Sequence, residues 1–258
     1  MANENQAWQR YYYPGTDTLR NKANIHDHTE LRTAEYRKAS SAALALRQGT
    51  RSLDGETVEE RLCSAHRQLF EEIYDWAGDL RDVNISKGGN HFGDHNSMGM
   101  YLRQANGAVQ RFDWERASYD EKLTQLAALH TDLNFAHPFR EGNGRATKVF
   151  MSDLAQQHGI ELSFAAVDSD VWNEASRQTF LDPHGLRQDI QPMLDVYQQI
   201  ATPLETDPEP TAMAPPAYDV MVSPHAQRES GQSATNLKTP TPDLTITTGQ
   251  AEEPGLGD

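Results

Sequence analysis

A single cysteine, Cys63, among 258 residues excludes an intramolecular disulfide and any metal cluster built from cysteines. A reducing compartment fits such a chain. Positive charge is also scarce: 23 lysines and arginines face 38 acidic residues, for a formal charge of -15 and a pI near 5.0. That balance argues against a general attraction to nucleic acid or anionic lipid and leaves room only for a local basic patch around a smaller anion. No run of about 18 apolar residues exists to span a bilayer. The N-terminal stretch MANENQAWQRYYYPG lacks the charged and apolar segments of a secretory signal. The expectation is a soluble protein without membrane contact, acting in the cytoplasm or reaching another cell by an unconventional route. Internal repeats and heptad arrays are absent as well.

What is present is enough for one sizeable core and an appendage: 37% of residues are hydrophobic and 8% aromatic. The composition changes abruptly near Thr202. Residues 203–258 hold nine of the thirteen prolines, and nine acidic residues stand against Arg228 and Lys238, which is about half of the net charge. Such a stretch buries too little apolar surface to offset its ordering entropy, so it reads as a disordered or linker-like acidic tail. The expected division is a domain over 1–202 and a tail over 203–258.

Within the domain, apolar residues recur at helical spacing. Residues 27–46 carry Leu31, Ala34, Ala42, Leu44 and Leu46; residues 58–76 carry Leu62, Ala65, Leu69, Ile73 and Trp76. Residues 119–135 repeat the pattern with Leu123, Leu126, Ala127 and Leu133. Residues 144–158 turn Val149, Phe150 and Leu154 inward and stop at Gly159, a good C-cap. Further helices are expected over 168–179 and 186–201. One segment breaks the rhythm: residues 82–92 alternate Val83 and Ile85 with polar residues and turn at Gly88-Gly89, the pattern of a β-hairpin.

The segment His137-Pro138-Phe139-Arg140-Glu141-Gly142-Asn143-Gly144-Arg145-Ala146-Thr147-Lys148 lies between two expected helices. Pro138 cannot continue the first, and Gly142-Asn143-Gly144 permits a tight turn that exposes consecutive backbone N–H groups at the start of the second. A helix start of this kind favours phosphate through hydrogen bonds and dipole alike. Arg145 and Lys148, three residues apart, put two cations on one helix face beside it. Glu141 adds a carboxylate, favourable next to phosphates when a Mg²⁺ ion is bound between them. His137 can take a proton near neutral pH and is the candidate general base for a hydroxyl nucleophile. Phe139 is the expected inward anchor of the loop. Singly these features are ordinary; the ordered string of base, carboxylate, glycine turn and two cations is not.

This string resembles the motif HPFx[D/E]GNGRxxR of the Fic (filamentation induced by cAMP) domain proteins, matched without a gap from His137 to Arg145. Further resemblance lies in Tyr13-Pro14-Gly15 with Leu19-Arg20-Asn21-Lys22, in Asp75-Trp76-Ala77-Gly78 with Arg81, and in Asn84-Ile85-Ser86-Lys87-Gly88-Gly89 with Phe92. It covers about residues 8–200. The resemblance implies an all-α Fic fold with a small β-hairpin flap, and transfer of AMP from ATP to a Tyr, Thr or Ser hydroxyl of a target protein. It makes His137 the base, Glu141 the Mg²⁺ ligand, Gly142, Asn143 and Gly144 the phosphate cradle, and Arg145 a phosphate partner. Val83, Asn84, Ile85, Ser86, Lys87 and Gly88 become the flap that docks the target by strand addition. Lys148 stands where the family usually has a second arginine that meets the γ-phosphate, and it lacks that residue's planar fork.

Many members are restrained by a helix bearing [S/T]xxxE[G/N]. No full match occurs here: the stretch from Ser52 to Glu56 is followed by Thr57, and that from Thr248 to Glu252 by Glu253. The resemblance therefore implies a separate small antitoxin protein that carries the inhibitory helix. Two alternatives stand beside this reading. The same site could move UMP, GMP or, as in the Doc branch, phosphate; Doc-like sequences have HxFx[D/N][A/G]NKR, with Lys where this chain has Gly144. Or the domain could be a catalytically silent binding module, which the joint presence of His137 and Glu141 argues against. His26 with His28 and His91 with His95 lack the spacing of a metal site.

Overall fold

Asp27, Thr57 and Ser118 each stand just before an apolar periodic stretch, and each caps a helix. Asp27 accepts from the Glu30 N–H at 2.8 Å, and Thr57 and Ser118 form reciprocal capping boxes with Glu60 and Glu121. The computed structural model describes residues 7–204. In chain order it runs α1 (His28–Arg47), α2 (Val58–Phe70), β1 (Ser86–Lys87), β2 (Asn90–His91), α3 (Met98–Arg111), α4 (Tyr119–Ala136), α5 (Asn143–Gln157), β3 (Ile160–Leu162), α6 (Ser169–Gln178), α7 (Gln191–Ile200) and β4 (Ala201–Pro203). The mass is helical, with two small antiparallel strand pairs. Of the tail expected over 203–258, Pro203 belongs instead to β4 and Leu204 bonds back to Gly159, so the folded part runs to 204, and residues 205–258, with the stretch from Thr248, lie outside the described residues. No helix among the described residues is long and apolar enough to cross a membrane.

α4 is the central element. It buries Leu123, Leu126, Ala127, Leu129, Leu133 and Ala136, and α3, α5 and α7 pack around it. α2 lies across α5 and α1, bringing Leu62, Ala65, Leu69 and Phe70 against Phe150 and Met151 in one core. The hairpin forms where the alternation of Val83 and Ile85 places it, with Ser86 opposite His91 and Lys87 opposite Asn90. Gly88 (φ 58°) and Gly89 (φ 83°) supply the two left-handed residues that a two-residue turn of this hand requires.

Two expectations change and two elements had not been expected. The helix expected over 58–76 ends at Phe70; Ile73 and Tyr74 N–H groups both return to the Phe70 carbonyl at 2.8 Å, so Ile73 enters the core from a turn. The helix expected over 186–201 starts at Gln191, because the Asp182 carboxylate accepts from His184, Leu186 and Arg187 N–H groups and winds that stretch into a loop. Leu186 is left 84% exposed there. α3 was hidden by Gly99 and Gly107, whose low propensity is overridden by the burial of Met98, Leu102 and Ala105. The β3–β4 pair also escaped notice: Ala201–Pro203 run antiparallel to Ile160–Leu162, and Leu204 N–H reaches the Gly159 carbonyl at 2.8 Å.

Candidate active site

The motif folds into the link between α4 and α5, with each side chain set by a local reason. His137 caps α4 in the left-handed region (φ 47°, ψ 60°), its N–H bonding the Leu133 carbonyl at 2.9 Å. Its Nδ1 lies 3.3 Å from the Asn134 carbonyl. A carbonyl only accepts, so Nδ1 carries the proton and the Nε2 lone pair is left for chemistry. Phe92, just beyond β2, stacks on the imidazole at 3.8 Å. Burial pulls the His137 pKa down to about 3, with Arg81 and Lys87 adding to the effect against the opposing Asn134 contact. The ring is therefore neutral at physiological pH.

Beyond Pro138 the loop turns inward. Phe139 is fully buried, as expected, and stacks on His66 at 3.9 Å. Asn143 clasps it from both sides: the Phe139 N–H donates to Asn143 Oδ1 and Asn143 Nδ2 donates to the Phe139 carbonyl, each at 2.8 Å. The Asn143 side chain thus builds the loop, and only its backbone faces the helix start. His66 accepts the Gly78 N–H on Nδ1 at 2.8 Å, so its Nε2–H donates to the Glu141 carbonyl at 2.9 Å. Burial keeps that ring neutral too, with its pKa lowered to about 3.

Gly142 caps α5 at φ 80°, and an added Cβ would lie 2.4 Å from the Phe70 ring. Gly144 is in ordinary helical backbone, and a Cβ there would meet nothing within 4 Å. The fold demands glycine at 142 and leaves open space at 144. No side chain of the N-cap residue satisfies the first N–H groups of α5.

The charges divide. Arg145 pairs with Glu35 of α1, lies 3.5 Å from Glu141, and packs its guanidinium over Phe70 at 4.7 Å. Lys148 points elsewhere: its ammonium sits 4.2 Å from the Trp172 ring centroid and 5.4 Å from that of Phe164, where burial lowers its pKa to about 8. The two cations expected side by side diverge to opposite neighbours. Glu141 spends one oxygen on the Gly142 N–H at 3.0 Å and keeps 42% of its side chain exposed. No cluster of three or more His, Cys, Asp or Glu side chains able to hold a metal exists among the described residues, so a cation here needs ligand oxygens to complete its shell.

In the flap, Val83, Ile85 and Ser86 are buried, while Asn84, Lys87 and Gly88 are exposed. Asn84 Oδ1 accepts the His95 N–H at 3.0 Å, and the His91 N–H on β2 is held by the Pro183 carbonyl at 2.7 Å.

Two residues escaped assignment from sequence. Arg81, 3% exposed, donates Nε to the His137 carbonyl at 2.8 Å and its other N–H groups to the Val83, Gly93 and Ala136 carbonyls. It ties the hairpin base to the motif loop. Glu35 lies on the buried stripe Leu31, Glu35, Ala39 of α1, and a carboxylate at a core position is the clue that could have found it.

A model of the Fic/DOC family matches residues 54–155. The chain is 32% identical over 175 residues to a probable protein adenylyltransferase Fic of Escherichia coli (strain K12), covering 65% of this chain and 82% of that one. It is 33% identical over 186 residues to the probable protein adenylyltransferase y4lH of Sinorhizobium fredii, covering 70% of this chain and 92% of that one. Among solved structures, the BepC effector of Bartonella tribocorum with bound AMPPNP superimposes with a TM-score of 0.66 at 25% identity, over 76% of this chain and 97% of that one. With the motif loop folded between α4 and α5 and relatives aligned along nearly their whole length, this chain belongs to the Fic/DOC family.

Proposed function

We propose that the chain is a protein adenylyltransferase that moves AMP from ATP to a Tyr, Thr or Ser hydroxyl of a target protein. The observation that carries this reading is the His137 tautomer. Nδ1–H is bound to Asn134, so Nε2 accepts the hydroxyl proton as the oxygen bonds the α-phosphorus. The bond from that phosphorus to the bridging oxygen breaks and pyrophosphate leaves. The start of α5, the Gly142-Asn143-Gly144 cradle, receives the phosphates on its Asn143 and Gly144 N–H groups, and Arg145 neutralises their charge. Mg²⁺, held by Glu141 together with phosphate oxygens, would supply charge neutralisation there. Lys148 meets the terminal phosphate only by leaving the Trp172 ring.

The target docks along the flap by strand addition. Phe92, which follows β2 of the flap, stacks on His137, and this contact supports the flap as the docking element. The relatives named adenylyltransferases and the AMPPNP bound by BepC support the choice of nucleotide and transferred group. The missing full inhibitory motif supports control by a separate antitoxin. Incubation with a cell lysate and ATP labelled at the α or γ position tests the reading. Label from the α position only is expected; label from the γ position only would replace it with phosphate transfer.

A further inference from the structure

α1 presents Leu31, Glu35 and Ala39 inward, one turn apart. An unpaired carboxylate on that stripe would be costly, so the partners of Glu35 define its purpose. Glu35 is 7% exposed. It accepts the Tyr74 hydroxyl on one oxygen and pairs with Arg145 Nη2 on the other. Tyr74 is itself fixed, 1% exposed and stacked on Trp76 at 4.3 Å, and burial together with the Glu35 charge raises its pKa so that it stays a donor. Arg145 has Phe70 beneath it and Glu141 within 3.5 Å on its own helix. Two carboxylates therefore compete for one guanidinium, and the buried one is anchored from behind.

From this arrangement, and resting on the phosphate-site reading above, we infer that Glu35 is a positioning residue. It draws Arg145 onto the Phe70 face so that the remaining guanidinium N–H groups meet phosphate, and it leaves the exposed carboxylate of Glu141 open to a cation. Without the Glu35 charge, Arg145 closes on Glu141, one turn away, and each neutralises the other. The nucleotide then loses its arginine and the cation its carboxylate together.

The test measures binding of a fluorescent ATP analogue, with and without Mg²⁺, in a His137→Asn background that cannot turn over. Glu35→Gln keeps the shape and a hydrogen-bond acceptor for Tyr74 but removes the charge. Its dissociation constant should rise about tenfold with Mg²⁺, while its circular dichroism and melting temperature stay near those of the parent. Adding Arg145→Gln should cost no more than Arg145→Gln alone, because Glu35 acts through that residue. Tyr74→Phe, which leaves every charge in place, should weaken binding about threefold and keeps the test alive if Glu35→Gln does not fold. Unchanged or tighter binding in Glu35→Gln, or additive losses in the double variant, overturns the role of Glu35. A parent that binds no analogue overturns the phosphate site itself and this inference with it.

Discussion

His137 is half-buried, left-handed at φ 47°, and covered by Phe92, so a replacement that tests its chemistry must tolerate that backbone. Asparagine does so better than alanine. His137→Asn should abolish transfer while changing folding stability by no more than about 1 kcal/mol, as read by radiolabel incorporation and thermal melting; residual wild-type turnover would point to another base. The two motif glycines separate packing from function. Gly142→Ala puts a Cβ 2.4 Å from the Phe70 ring at a positive φ and should cost at least about 2 kcal/mol. Gly144→Ala meets nothing in the fold, so its melting temperature should hold or rise slightly, while its nucleotide affinity falls because the methyl stands in the open approach to α5. Equal nucleotide affinity in Gly144→Ala and the parent would place the phosphates elsewhere.

At the scale of the element, α5 serves two neighbours. Arg145 faces α1 and α2, whereas Lys148 faces α6 and the turn at Phe164–Ala166. Helical spacing puts residues three apart within reach of one another, yet long side chains end where their partners are, and the Trp172 ring is a strong partner for an ammonium. Lys148→Arg should leave ATP affinity unchanged or improve it, since a guanidinium reaches further and can bond a phosphate twice. Lys148→Glu should weaken ATP more than ADP if the residue swings to the terminal phosphate, by about tenfold or more. Isothermal titration on these forms, in the His137→Asn background, decides; identical ATP binding by all of them fixes Lys148 as a clamp on α6.

Across the whole molecule, buried imidazoles tie stability to pH. Burial lowers His130 and His137 to about 3 in the folded chain, against about 6.5 when unfolded. Between those values the unfolded state binds more protons, so the contribution is fully present above about pH 6.5 and is lost as pH falls toward 3. Unfolding free energies from urea titrations near pH 7.5 and pH 5 should differ by up to about 2 kcal/mol for each histidine, with the midpoints shifting accordingly. His130→Phe should flatten that dependence, and equal midpoints in the parent would show that neither ring is held neutral. The chain end offers a second test. A protein ending at Leu204 should melt like the full chain, as expected from the composition of the tail. One ending at Thr202 loses Pro203 of β4 and the bond from Leu204 to Gly159 and should melt lower.

Capped amphipathic stretches, a Gly-Gly hairpin turn and a motif confined to twelve consecutive residues were legible in the sequence, because each is set by neighbours along the chain. The helical class, the hairpin at residues 86–91 and the burial of Phe139 follow from such local chemistry. Helix α3 was not legible, since its glycines argue locally for a loop and only packing on α4 and α2 overrules them. Nor was the pairing of β3 with β4, whose strands lie about forty residues apart. The grip of Arg81 on flap and loop, the Glu35–Arg145 pair and the turn of Lys148 toward Trp172 all join residues remote in the chain. The identity of the motif side chains was set by sequence, but where their charges point was decided by which distant side chains the tertiary fold brings within reach, because electrostatic and packing energies depend on distance in space.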